Sequence, residues 1–218
     1  MLETHGYLTY FVYVFTSVFV ITNPIGATMV FVTLTHGYSQ NEKAKTCLRT
    51  TIVAFLIALL FAVGGDLILR IFGITVDSLR VAGGVLLFLL AMDMLRARPN
   101  PKVTEAEIID ANARDDVSIF PLAMPLLTGP GVITTVVVLM GASSSVSAKA
   151  TVLLAIAASF AASYAILRSS ELIDRLLGLT GIMVMSRIMG LVLGAIAVDF
   201  VSQGAWNLYL MLVESGTI

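Results

Sequence analysis

Charge is what this 218-residue sequence is short of: Asp, Glu, Lys and Arg make up only 12% of it, against roughly 25% in a soluble globular domain. There are not enough polar side chains to cover a surface in water, which excludes a soluble enzyme, a nucleic-acid binder and a disordered regulator. The net charge of −1 offers no basic face for nucleic acid. Cys47 is the single cysteine, so neither an intrachain disulfide nor a zinc cluster can form. The two histidines, His5 and His36, fall near the edges of apolar stretches, and no metal centre is expected. HExxH, Gly-x-Ser-x-Gly and P-loop signatures are all missing, so the chain is not expected to be an enzyme or to carry a cofactor.

What the chain has in excess is apolar length. Hydrophobic residues make up 58%, and the mean hydropathy is +0.96. A bilayer-spanning helix needs about 20 apolar residues. Six segments qualify, near 7–35, 50–70, 77–96, 117–141, 149–168 and 186–212. Unbroken apolar runs replace the alternation of a membrane β-barrel, so the expected fold class is an all-α membrane protein. The first segment follows Met1-Leu2-Glu3, without a basic region or a cleavage pattern, and reads as a retained helix.

Basic residues orient the spans. With the N-terminus outside, the inner loops hold nine (Lys43, Lys45, Arg49, Arg96, Arg98, Lys102, Arg114, Arg168, Arg175) and the outer loops three (Arg70, Arg80, Lys149). Both termini are therefore expected outside. The hydrophilic stretch 97–116 is the natural cytoplasmic linker between a first unit, 1–96, and a second, 117–218.

The two units align with each other. Asp66-Leu67-Ile68-Leu69-Arg70-Ile71-Phe72-Gly73-Ile74-Thr75 parallels Glu171-Leu172-Ile173-Asp174-Arg175-Leu176-Leu177-Gly178-Leu179-Thr180; Arg80 parallels Arg187, Asp93 parallels Asp199, and Asn23-Pro24 falls opposite Gly129-Pro130. Each half holds three spans, and an odd number makes the second copy enter from the opposite side. The expectation is two inverted three-helix repeats, a plan common among secondary transporters.

The first span of each half carries helix breakers: Thr22-Asn23-Pro24-Ile25-Gly26 and Thr128-Gly129-Pro130-Gly131. Lipid cannot satisfy the backbone groups freed at a break, so a break at membrane depth belongs inside the protein or beside a cavity. Helix N-termini restarting there attract anions. Thr22, Asn23, Thr28, Thr128, Thr134 and Thr135 add uncharged hydrogen-bonding groups. With Pro24, Gly26, Gly129, Pro130 and Gly131, they form the expected binding site for a small polar or zwitterionic solute, with Asn23 and the threonines serving an ammonium group. Pro121 and Pro125 read as flanking kinks.

Asn23-Pro24-Ile25-Gly26 resembles the Asn-Pro-Ile/Val-Gly motif of the MarC family of inner-membrane proteins. Pro121-Leu122-Ala123-Met124-Pro125-Leu126-Leu127-Thr128-Gly129-Pro130-Gly131 is similar to that family's Pro-Leu-Ala-x-Pro-Leu-x-x-Gly-Pro-Gly signature, with Thr128 where alanine is common. The resemblance spans about residues 10–203. It implies a six-span inner-membrane protein in a group that contains transporters of small neutral amino acids such as glycine and alanine.

Ionisable residues inside spans are candidates for function. Asp199, deep in the last span with no local partner, and Asp66 are the candidates for H+ or Na+ coupling. Asp66–Arg70 and Glu171–Arg175 have the spacing of helical ion pairs, and Arg80 and Arg187 are expected to tie their helices to a carboxylate or to the interface. The functional expectation is a secondary transporter with a small neutral solute and membrane lipid as its partners. An exporter or channel for another metabolite and a nontransporting scaffold remain open, as does the oligomeric state.

Overall fold

The computed structural model describes residues 2–96 and 117–214, which are helical throughout with short connections. Residues 97–116, and with them the expected linker, lie outside the described residues. Helix α1 runs Leu2–Thr22, α2 Pro24–Leu34, α3 Gln40–Phe72 and α4 Val76–Leu95. The proline segment Ser118–Leu127 follows, then α5 Pro130–Gly141, α6 Val146–Arg168 and α7 Ser170–Glu214.

Local chemistry sets these boundaries. Ser39 begins α3 with a reciprocal capping box to Glu42. Thr75 caps α4 through the Ser78 N–H, and Ser145 caps α6 through the Ala148 N–H. Proline opens both α2 and α5, where its missing N–H costs nothing. Gly73 ends α3 at φ 65°, and Gly178 interrupts α7 at φ 59°. The two glycines hold corresponding places in the aligned halves.

Five stretches are long and apolar enough to cross a membrane, and six if the proline segment and α5, bent by 58°, form one span. Gly6–Leu34 counts as a single 29-residue stretch despite the break at Asn23. The first break therefore interrupts the helix without a sharp bend, whereas the second turns it. The second span begins ten residues earlier than the hydropathy suggests, because the capping box carries α3 beyond its apolar run.

Helix α3 shows how such a chain packs. Its inner face is built of small residues, Cys47, Thr51, Ala54, Ala58, Ala62 and Gly65, all buried. Its opposite face carries Leu48, Ile52, Leu56, Leu60, Val63 and Leu67, each 47–69% exposed. Small faces let membrane helices approach closely while large apolar side chains meet lipid. The most extensive pairing among the described residues is α4 against α7: a side chain at Gly84 would meet the Ala197 carbonyl, one at Gly190 the Ala91 carbonyl, and one at Gly204 the Asp77 carbonyl. One turn beyond Gly190, a side chain at Gly194 would rest at ordinary contact distance, 3.7 Å, from the Ala91 Cβ. Trp206 and Tyr209 sit exposed near the end of α7 with ring centroids 5.8 Å apart, where aromatic side chains favour the membrane–water interface.

Candidate functional site

At the first break Asn23 adopts a left-handed conformation, φ 50° and ψ 58°. Asparagine tolerates this better than most residues. Its Oδ1 accepts from the Gly26 N–H at 3.2 Å, capping α2, while its own N–H and C=O continue the helical ladder to Phe19 and Ala27. Thr22 donates to the Val18 carbonyl and Thr28 to the Ile25 carbonyl; both are buried. A side chain at Gly26 would meet Asn23 itself and the Ser186 hydroxyl of α7, so this break faces the last helix.

At the second break the backbone is more disrupted. The proline segment has extended residues at Phe120 and Met124, each followed by a cis peptide to Pro121 and Pro125. These prolines are thus part of the break rather than flanking kinks. Turns of i→i+5 type close it, Leu122 N–H to Val117 O and Thr128 N–H to Ala123 O. Thr128 donates across to the Ala54 carbonyl of α3 at 2.8 Å. Gly129 precedes Pro130 in an extended conformation, and a side chain there would lie 2.8 Å from the Pro125 carbonyl oxygen. Among the described residues no side chain caps the N-terminus of α5. A cavity of about 280 Å³ opens beside it, lined by Gly129, Pro130, Gly131, Val132, Leu86 and Leu90 among others. Its wall reaches Ile21, just ahead of the first break, through the close approach of Gly131 to Ile21 and Leu87.

Of the remaining α5 threonines, Thr134 turns its methyl against Gly83 of α4. The Thr135 hydroxyl is buried and has no hydrogen-bond partner among the described residues. Asp66 is exposed and paired with Arg70 at 2.9 Å. Glu171 accepts from Lys43 and Gln40 of α3, so its hydrogen bonds run across the bundle, and it also feels the charge of Arg175.

Asp199 is less isolated than its sequence context suggests. It accepts from Tyr13 at 3.3 Å and from Gln203 at 2.7 Å. Beside it Arg80, only 9% exposed, is bonded to Asp77 at 3.2 Å, and Asn207 donates to the same Asp77 oxygen. Arg80 is therefore a buried group, not the outer-loop charge of the orientation count, and removing it strengthens the bias between loops. Tyr10, Tyr13, Arg80 and Gln203 line a second cavity, of about 170 Å³.

A sequence model of the MarC family of integral membrane proteins matches residues 8–209. This chain belongs to the MarC family. It is 42% identical over 197 residues to the UPF0056 membrane protein MJ1677 of Methanocaldococcus jannaschii, covering 90% of this chain and 96% of the relative. An Aquifex aeolicus UPF0056 membrane protein is 38% identical over 208 residues, covering 95% of this chain and 96% of the relative. The membrane protein YvbG of Bacillus subtilis is 34% identical over 208 residues, at 94% and 99% coverage. No solved structure matches. The MarC assignment and the spans together make this a multi-pass integral membrane protein.

In this MarC protein the polar cavity is what sequence reading missed. Two signals for it were present: Tyr7, Tyr10 and Tyr13 recur every third residue of α1, and Asp199, Gln203 and Asn207 every fourth residue of α7. Each spacing places its residues on one helix face, and Tyr10 and Tyr13 from α1 meet Gln203 from α7 at the cavity.

Proposed function

We propose that this MarC protein is a secondary transporter of small neutral amino acids such as glycine and alanine. The observation that carries the reading is the N-terminus of α5, which no side chain among the described residues caps, opening on a cavity of about 280 Å³ at a Pro/Gly break. A 12-residue helix presents free N–H groups and a positive dipole end there, suited to a carboxylate. Thr22, Thr28 and Thr128 have committed their protons to backbone carbonyls. Their oxygens keep lone pairs, so where they meet a solute they act as acceptors, as an ammonium group requires.

The proposed architecture is an inverted repeat of two three-helix halves. It is supported by the left-handed glycines Gly73 and Gly178 at matching positions. The packing supports it too: α2 and α5 each contact α4 or α7 of the other half, and α4 pairs with its own counterpart α7. The proposed setting is the inner membrane with both termini outside, supported by the excess of Lys and Arg in alternate loops. Coupling to H+ or Na+ falls to Asp199, whose two hydrogen-bond donors Tyr13 and Gln203 are neutral, ahead of Asp66, which is exposed beside Arg70.

The test is flux. Proteoliposomes holding the purified protein should take up labelled glycine or alanine saturably under an H+ or Na+ gradient and show counterflow, which a channel does not. Absence of saturable flux under either gradient overturns the reading.

A further inference from the structure

The polar cavity at the other end of α5 has a hydrogen-bonding inventory that specifies a ligand. Arg80 commits one N–H, to Asp77, out of five donors on the guanidinium. Gln203 commits one of its two amide protons, to Asp199. Both side chains line the cavity, so the donors left over are cationic or amide N–H groups, the set that recognises a carboxylate.

The two phenols are the opposite case. Tyr13 gives its proton to Asp199. Tyr10 is paired with Ser143 at 2.9 Å, and since Ser143 already donates to the Leu139 carbonyl, the Tyr10 proton lies in that contact. Both phenol oxygens are left as acceptors. Their rings and the nearby Asp199 carboxylate add the negative field that an ammonium favours. Donors and acceptors thus meet across one small space of about 170 Å³, below the roughly 300–1,000 Å³ of sites for drug-sized ligands.

From this we infer that the Tyr10–Tyr13–Arg80–Gln203 cavity is a second binding station for a small zwitterionic amino acid: Arg80 and Gln203 hold the carboxylate, and the tyrosine oxygens hold the ammonium group. The inference rests on the transport reading for its solute but names a different place in the protein from the breaks. Thr135 joins the two. Gly131, Thr135, Val138 and Ala142 are spaced i, i+4, i+7 and i+11, one face of α5 and its cap. Gly131 lines the break cavity, while Val138 and Ala142 line the polar one. The orphan Thr135 hydroxyl therefore lies about one turn from each, where a passing solute or water would satisfy it.

The experiment is calorimetric titration of the purified full-length protein with glycine, with acetate and methylamine as half-ligands, alongside flux in proteoliposomes. Glycine should bind more tightly than either half-ligand. Arg80→Lys keeps the charge opposite Asp77 but loses the fork, and should weaken glycine binding by about tenfold or more. Ala142→Leu fills the cavity without touching a charge and should do the same, which guards against a folding defect in the arginine variant. Tyr10→Phe combined with Tyr13→Phe should erase the advantage of glycine over acetate. Thr135→Val should leave binding intact and slow flux; unchanged flux removes Thr135 from the path. If wild type transports glycine while Arg80→Lys and Ala142→Leu leave Kd and KM unchanged, the station is overturned and transport stands. Arg80-dependent glycine binding without flux supports the station and overturns transport. If wild type binds neither glycine nor alanine, both fall.

Discussion

The Thr128 hydroxyl donates to the Ala54 carbonyl oxygen at 2.8 Å, and both groups are buried between the second break and α3. In sequence this hydroxyl reads as an addition to a binding pocket. Its proton is instead spent on anchoring the broken segment to the neighbouring helix. Hydrogen bonds between membrane helices average about 0.6 kcal/mol, with a maximum near 1.7. Thr128→Val should therefore destabilise the protein by about 0.5–1.5 kcal/mol in reversible unfolding from detergent micelles, and Thr128→Ser should retain most of that stability. A loss in Thr128→Ser larger than in Thr128→Val, which keeps the methyl, would assign the effect to packing of that methyl rather than to the bond.

Gly83 and Thr134 make a second such contact, here between α4 and α5. A Cβ at Gly83 would collide with the Thr134 methyl, Cγ2. Gly83→Ala should cost about 1–3 kcal/mol by overpacking. Thr134→Ser removes that methyl and keeps the hydroxyl, so the double variant should recover most of the loss. A double-mutant cycle with no coupling energy would show that the helices relax apart instead.

Asn23 separates backbone conformation from side-chain chemistry. Alanine there loses the cap to Gly26 and must hold a left-handed conformation, which costs about 1–2 kcal/mol for an ordinary residue. Glycine accepts that conformation freely and gives up only the cap. Asn23→Ala should lower stability by about 1–2 kcal/mol, and Asn23→Gly by a few tenths. Flux of labelled glycine should fall in both. Wild-type flux in Asn23→Gly would remove the Asn23 side chain from the solute's path.

The spans were legible because lipid leaves a strong mark: long apolar runs, and breakers whose cost inside a helix is large. The Asn23 and Gly129–Pro130 interruptions stand out in the sequence for that reason, and both interrupt helices in the fold. How far each bends was not legible. Asn23 caps the next helix and lets it continue, while the proline segment meets α5 at a 58° bend across Thr128 and Gly129. The partners of charged groups were hidden as well. Arg80 with Asp77 is a local pair at i, i+3, but Asp199 with Tyr13 joins residues 186 positions apart, and Glu171 with Lys43 joins residues 128 apart. Periodicity reports which face a residue occupies and not which helix comes to meet it.

Orientation can be tested with the chain's own single cysteine. Cys47 is 1% exposed, with its thiol toward the Tyr164 carbonyl, so a small replacement such as Cys47→Ala should give a silent background. Lys45 lies exposed in the first turns of α3 and Lys149 exposed in the first turns of α6. The distribution of basic residues puts these two positions on opposite faces of the membrane. In the Cys47→Ala background, Lys149→Cys should react with a membrane-impermeant maleimide in intact cells. Lys45→Cys should react only after the membrane is opened. The reverse pattern would invert the topology and move the polar Arg80 cavity, which lies at the Lys149 end of α5, from the outer face to the inner one.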